Sequence, residues 1–391
     1  MAKWERLFRS IFPNALFRHF PICAFVVKGG GEAMTTSVAG KWIYWLDEVT
    51  KDLSEVVGKK CANLGEMTRA GFRVPCGFAL SLEAYDRFMK DSGALTEVND
   101  RLSRFEADPH DPANLRKWGE VSEVIRGITE MKTMPQDMAE TISTHYEELC
   151  RRTGIANCPV ATRSAGPASH PGQYETFLHV RGISEVLRHI VKVWASTFNQ
   201  RSLVARARAG YRLDYDPIGV AVLQMVNAKT AGVMFTLNPA NGDRSKIMID
   251  GNWGLGESVV SGSVTPDEWT VDKVVLEIIT RTISPKGLEY VVDPSGKVVS
   301  SDIPTERQNV PCLTDSEVIE LAKGGKKIEQ HYGMPQDIEW VIDRELPFPE
   351  NIFFVQTRPE TVWSRKQTES KLKTSGDVTA DVVDFWRSVK G

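Results

Sequence analysis

The sequence predicts a mixed α/β fold, α+β in character, and three observations carry that expectation. Short apolar runs with strand spacing alternate with amphipathic stretches at helical spacing from about residue 41 to 365. Helix caps and turn residues punctuate them, with Gly71 and Gly333 placed to end helices and Asp293-Pro294-Ser295-Gly296 placed to turn a hairpin. No internal repeat, low-complexity tract or apolar run of about 20 residues competes with a globular reading.

The elements follow in order. The aromatic run over 42–46 reads as a strand. Residues 62–70 read as a short helix stopped by Gly71, and 78–80 as a strand. Ser81 can cap the next helix, where Leu82, Tyr85, Phe88 and Met89 share one face. Residues 92–150 are more polar and helical, broken at Asp108-Pro109 and Asp111-Pro112. A second region begins near Cys158. Val186, Leu187, Ile190, Val191, Trp194 and Phe198 fall at helical spacing, and strands are expected over 220–226, 232–237, 246–250 and 274–283. Runs over 290–292 and 297–300 flank the turn sequence and predict the hairpin. Thr314 and Glu317 have capping-box spacing, opening a helix to about Tyr332 that stops at Gly333. Strands over 337–342 and 352–356 close the fold.

The 391 residues suffice for two or three domains. A formal charge of −3, from 48 basic and 51 acidic residues, argues against nucleic-acid or anionic-membrane partners, so any anion must be held locally. The six cysteines are scattered without a C-x-x-C pair and read as reduced cytosolic thiols, which fits a cytoplasmic protein. In the first 33 residues Lys3, Arg6, Arg9, Arg18 and Lys28 face only Glu5 and Glu32. The apolar stretch over 20–27 contains a proline and lacks a small-residue cleavage site, so the segment reads as an extension ahead of a start near Met34.

Four constellations could carry chemistry. Gly58-Lys59-Lys60-Cys61-Ala62-Asn63-Leu64-Gly65 sits at a helix start, where unpaired N–H groups and a lysine suit phosphate, although a surface lysine pair would look the same. It lacks the Walker A spacing. Arg163-Ser164-Ala165-Gly166, continuing to Gly172-Gln173-Tyr174-Glu175-Thr176, is a loop of small residues with a guanidinium at its edge, able to cradle phosphate or simply to turn. His170 within it reads as a structural loop residue. In Gly251-Asn252-Trp253-Gly254-Leu255-Gly256-Glu257, Glu257 could accept a ribose hydroxyl or face a metal, and a tight turn is the plainer alternative. In Asp337-Ile338-Glu339-Trp340-Val341-Ile342 the period of two puts Asp337 and Glu339 on one face, roughly 7 Å apart, which suits magnesium, a lysine or plain solvent. The same alternation puts Ile352, Phe354, Gln356 and Arg358 together on the last strand.

Taken in order, these segments resemble the nucleotide-binding domain shared by phosphoenolpyruvate synthase, pyruvate phosphate dikinase and the rifampicin phosphotransferases. The likeness also uses Gly71-Phe72-Arg73-Val74-Pro75, Ala231-Gly232-Val233-Met234-Phe235-Thr236, Pro266-Asp267-Glu268 and Val355-Gln356-Thr357-Arg358-Pro359-Glu360, and runs from about Trp45 to Arg365. It implies an ATP-grasp fold of two lobes closing on ATP: a lobe over 41–225 with the helical insert at about 92–150, and a lobe over 226–365. An extension over 1–40 and a peripheral tail over 366–391 would flank them. By resemblance Lys60, Arg163 and Arg358 are the catalytic cations, and Gly172 and Thr176 belong to the glycine loop over the phosphates. Gln224, Met225 and Val226 resemble the hinge that meets adenine. Glu257 and Asp337 join the nucleotide contacts, and Glu339 and Gln356 resemble the magnesium group. The residues thus match what phosphoryl transfer needs, positioning and charge neutralisation.

Two departures from the family stand out: Lys59 and Cys61 where glycines are usual, and a loop after Arg163 without the acidic insert of phosphoenolpyruvate synthases. The family's phosphohistidine motif is not found in these residues, and His170 does not match it. The resemblance therefore implies a partner subunit carrying the phosphohistidine domain and binding the small-molecule acceptor. Phenylphosphate synthase is divided in this way, and the chain is similar in architecture to its ATP-grasp β subunit. The implied reaction passes phosphate from ATP to phenol, releasing AMP and phosphate. A split phosphoenolpyruvate synthase and an ATP-sensing regulatory subunit are the alternatives.

Overall fold

The computed structural model describes residues 40–166, 174–361 and 363. The expected extension (save Gly40), Gly172, His170 and the expected tail over 366–391 lie outside the described residues. From Trp42 onward the described residues belong to one compact unit.

Five strands, Ile43–Trp45 (β1), Gly77–Leu80 (β2), Val160–Ala165 (β3), Thr176–Val180 (β4) and Gly219–Gln224 (β5), form an antiparallel sheet in the order β1-β2-β5-β3-β4. The later strands are Ala228–Phe235 (β6), Lys246–Trp253 (β7), Asp267–Asp272 (β8), Ile278–Thr282 (β9), Leu288–Val292 (β10), Val298–Asp302 (β11), Gln336–Asp343 (β12) and Ile352–Pro359 (β13). Six of these make a second antiparallel sheet, β13-β12-β6-β7-β8-β9, while β10 and β11 form a separate hairpin. The helices are Ser54–Val57 (α1), Lys59–Arg69 (α2), Leu82–Asp91 (α3), Ala94–Ser103 (α4), Leu115–Glu130 (α5), Gln136–Thr153 (α6), Ile183–Ala195 (α7), Gln200–Arg208 (α8), Glu257–Val260 (α9), Thr305–Gln308 (α10) and Asp315–Tyr332 (α11). Among the described residues no helix is long and apolar enough to cross a membrane. The mixed α/β fold class read from the sequence is borne out by the antiparallel sheets and the helices packed against them.

β5 explains the layering. Its side chains alternate between two cores: Val220 and Val222 join Tyr85, Phe88, Trp118, Ile142 and Trp194 in the helical layer. Ala221 and Leu223 join α2 and the six-stranded sheet on the other side. A strand buried on both faces carries a continuous apolar run, as 220–223 does. The second core is shared by α2 (Cys61, Leu64, Met67), the six-stranded sheet (Ile249, Trp269, Ile338, Trp340) and α11 (Val318, Leu321, Ile328). α2 is thus the element packed between the sheets. The capping box of α11 is formed: Glu317 N–H donates to Thr314 Oγ1 at 3.3 Å, and the Glu317 carboxylate accepts from Thr314 N–H at 2.8 Å. Gly333 takes φ of 71° just past the helix end, as its sequence position suggests.

Four local expectations need correction. The sequence around Arg163 and Thr176 reads as loop, but both lie in paired strands, where small residues pack between the sheets. The strand expected over 274–283 is shorter, because the Asp272 carboxylate accepts from the N–H groups of Val274 and Val275 and turns the chain before Ile278. The strand just before it, β8, has no counterpart in the sequence reading. Ser81 begins α3 without capping it, since its hydroxyl is buried and makes no hydrogen bond with any described residue.

Candidate functional site

The site begins at the N-terminus of α2. Gly58 has φ of 81°, and a Cβ there would lie 1.9 Å from the Ala165 carbonyl oxygen. Glycine therefore lets α2 start directly against the end of β3. Lys59 N–H donates to the Gly166 carbonyl at 3.1 Å and fixes that junction. Asn63 Nδ2, one turn on, donates to the Thr357 carbonyl at 2.9 Å on the outer edge of β13. Both contacts hold Lys60 between the sheets.

Arg163 occupies the inner face of β3 with Ala161 and Ala165, opposite Ala221 of β5, so small neighbours leave room for its guanidinium to reach the other sheet. It donates to Glu339 Oε2 at 3.0 Å, to Gln356 Oε1 at 3.0 Å and to the Val355 carbonyl at 3.2 Å. Gln356 Nε2 in turn donates to Glu339 Oε1 at 2.7 Å. Beside them Arg358 Nε donates to Asp337 Oδ2 at 2.7 Å.

The strand that supplies Gln356 and Arg358 departs from simple alternation. β12 behaves as its period of two predicts, with Ile338, Trp340 and Ile342 buried and Asp337 with Glu339 on the opposite face. Across from it the register shifts between Glu339 and Trp340, so Glu339 pairs with Gln356 while Trp340 pairs with Phe354. This β-bulge adds one residue and reverses the facing of the residues beyond it. Ile352 and Phe354 therefore point into the core, and Gln356 and Arg358 do not join them as alternation predicted. They join the carboxylates instead.

Three cations face two carboxylates here, and burial shifts Lys60 and Asp337. Burial, reinforced by the nearby Arg163 charge and partly opposed by Glu339, pulls the Lys60 ammonium down to about 8. Lys60 forms no hydrogen bond or ion pair with a described residue. Burial also raises the Asp337 carboxyl above its ordinary value, against the opposing pull of Arg358. Arg163 Nε is buried without a partner. An unspent guanidinium N–H and an unpaired ammonium fit phosphate oxygens. Asp337, Glu339 and Gln356 are hard oxygen donors that fit magnesium. No group of three His, Cys, Asp or Glu side chains is placed to hold a metal among the described residues. Magnesium is commonly bound through one or two carboxylates plus phosphate and water.

The other expected residues that are described make no side-chain hydrogen bond to this cluster. Thr176 opens β4, exposed, with its backbone paired to Arg163. Gln224 ends β5, its N–H donating to the Cys76 carbonyl at 2.8 Å, and Met225 N–H donates to the Pro159 carbonyl at 2.8 Å. Val226 follows before β6. Glu257 opens α9 on the surface. The sequence reading missed Asn63, the Val355 carbonyl and Asp250. Asp250 lies on the Glu339 face two strands over, through the row Glu339, Val233, Asp250, Glu268. Burial and the neighbouring Glu268 push its carboxyl up to about 6. Alternation along 246–250 was the signal that could have found it. Cys61, beside Lys60, is fully buried and its thiol is pushed up to about 12, so it packs rather than reacts.

Residues 54–377 match the pyruvate phosphate dikinase AMP/ATP-binding domain. A probable phosphoenolpyruvate synthase of Staphylothermus marinus is 38% identical over 366 residues, covering 86% of this chain and 43% of that protein. The phosphoenolpyruvate synthase of Aeropyrum pernix is 37% identical over 361 residues, covering 85% and 44%. That of Pyrococcus furiosus is 36% identical over 375 residues, covering 86% and 46%. The chain spans less than half the length of these relatives.

Proposed function

We propose, from the premise that this chain belongs to the pyruvate phosphate dikinase AMP/ATP-binding domain family, that it is the ATP-using part of a dikinase-type phosphotransferase. In this reading a histidine on a domain outside these residues takes the β-phosphorus of Mg-ATP, AMP leaves as the bond between the α and β phosphates breaks, and water takes the γ-phosphoryl away as phosphate. One observation carries the proposal: Arg163 from one sheet meets Glu339 and Gln356 from the other, with Lys60 and Arg358 alongside. Lys60, Arg163 and Arg358 would hold phosphate oxygens in line and offset the charge that moves during transfer. Glu339, Gln356 and Asp337 would hold Mg²⁺, which supplies Lewis-acid neutralisation of the phosphates. Gln224, Met225, Val226 and Glu257 would bind the nucleoside, and Gly172 and Thr176 would belong to the loop over the phosphates. The two sheets with their helices would form the two lobes, and the cytoplasm is the proposed compartment.

For the acceptor, the relatives' names favour a reaction of the phosphoenolpyruvate synthase type over phenol. The phenol reading rests on chain architecture and family likeness, and phenol is the second acceptor to assay. The test mixes the purified chain with Mg-ATP and the histidine-bearing portion of a relative. Base-stable, acid-labile label on that portion, discharged by pyruvate, supports the proposal. A folded chain that binds no ATP at millimolar concentration overturns it.

A further inference from the structure

The hairpin of β10 and β11 belongs to neither sheet, yet it touches both ends of the region assigned to nucleotide. At its base, Leu255 N–H donates to the Tyr290 carbonyl at 2.9 Å, and Asn252 Nδ2 donates to the Leu288 carbonyl at 2.8 Å. Gly254 bridges Tyr290 with φ of 72°, and a Cβ on it would lie 2.3 Å from the Tyr290 carbonyl oxygen. Only glycine lets the hairpin sit this close to the turn that carries Glu257. At its tip, His179 Nδ1 lies 2.8 Å from the Gly296 carbonyl. A carbonyl only accepts, so Nδ1 must carry the proton and donate. Gly296, with φ of 84°, places its Cα against the His179 ring, from which a Cβ would stand 3.5 Å. His179 itself takes φ of 56°, a conformation that non-glycine residues adopt rarely.

The landing point matters. His179 precedes Val180, which pairs with Val160, and Val160 pairs with Gln224. At the other end of β4, Thr176 pairs with Arg163. From Tyr290 to the turn that begins at Asp293 the hairpin reaches about 10 Å.

We propose that the hairpin is a strap across the nucleotide site, with His179 a positioning residue that ties β4 to the turn bearing Glu257. This rests on the nucleotide reading given above. The strap fixes the distance between the six-stranded sheet's Glu257 turn and the edge strand that leads to Arg163's neighbour Thr176. Its effect is on nucleotide affinity, through preorganisation rather than contact.

Two cuts at the same link test it on the full chain. His179→Gly removes the donor while accepting the positive φ. Replacing residues 293–297 by Asn-Gly removes the tip but keeps a two-residue hairpin turn. Each is expected to weaken Mg-ATP binding about 3- to 10-fold by calorimetry, and the two together no more than either alone, because both break one connection. Hydrogen exchange in the 254–257 turn should quicken in His179→Gly although that residue does not touch it. Wild-type affinity in both variants, or effects that multiply, would overturn the strap. Should the shortened hairpin fail to fold, affinity and exchange in His179→Gly decide alone. If wild type binds no ATP, the nucleotide reading fails instead, which is a separate result.

Discussion

Burial beside Arg163 brings Lys60 down to about 8, and this has two consequences of opposite sign. The unfolded chain holds the Lys60 proton to about 10.5, so between about 8 and 10.5 it binds more protons than the folded chain does. The penalty for burying this charge is therefore fully present below pH 8 and relieved as pH rises, worth about 3 kcal/mol at most. Nucleotide binding runs the other way. A phosphate at Lys60 favours the ammonium, so Mg-ATP affinity should be flat below pH 8 and weaken by up to about tenfold per pH unit above it. Calorimetry at pH 8.5 in buffers of different ionisation enthalpy should report proton uptake, and Lys60→Arg should abolish the pH dependence. Affinity that stays constant to pH 9.5 would remove Lys60 from the phosphate site. Glu339 offers a second test, because its carboxylate is shared by Arg163 and Gln356. Glu339→Gln keeps an acceptor for Arg163 but loses a charge, so histidine-domain phosphorylation should fall by about 10²–10³ with the fold retained. Normal turnover with normal magnesium dependence would mean that the carboxylate only steadies the sheet.

α2 is pinned on three sides, and its sequence says how closely. A Cβ at Gly65 would lie 2.5 Å from Val49 Cβ and 2.6 Å from the Val49 carbonyl oxygen. Gly65→Ala should therefore cost about 1–3 kcal/mol in denaturant unfolding through overpacking. Asn63→Ala should cost a similar ~1–3 kcal/mol by leaving the Thr357 carbonyl unsatisfied on the edge of β13. Unchanged midpoints in both would mean that α2 is not the wedge between the sheets. Elements of this kind were unevenly legible. β12 could be read because one face is core and the other polar, which leaves a period of two in the residue types. The bulge opposite it adds one residue without any compositional mark, so the facing of Gln356 and Arg358 could not be read from alternation. β8 was hidden because Asp267 looks like a loop residue. It is in fact fully buried in an ion pair with Lys286, at 2.5 Å, and also accepts from Cys312 N–H. β3 was hidden by small residues that serve to make room for Arg163. The side-chain partners of Arg163 lie 176 and 193 positions away. No local pattern announces that meeting, and only the ordered motifs of a whole family pointed to it.

For the molecule as a whole, the proposed transfer turns on which histidine would receive the phosphoryl group. The sequence holds seven histidines. Five are described, and four of these have ring partners elsewhere: His145 with Thr141, His179 with Gly296, His189 with Glu185 and His331 with Glu66. His110, the fifth, is exposed and follows Pro109, whose carbonyl accepts from Arg208. None hydrogen-bonds to Lys60, Arg163, Asp337, Glu339, Gln356 or Arg358. His170, outside the described residues, stands between Ser169 and Pro171, whose ring restricts the backbone on its N-terminal side. In-line transfer needs a nucleophile that reaches the phosphorus and then departs with its cargo, which suits a histidine on a separate mobile domain. The chain incubated alone with ATP labelled on the β phosphate should therefore stay unlabelled after acid-free gel separation. Adding the histidine-bearing portion of a phosphoenolpyruvate synthase should place base-stable label on that portion. Label retained on the chain itself, and lost in His170→Ala, would put the carrier within these 391 residues. The two-domain transfer proposed for it would then be wrong.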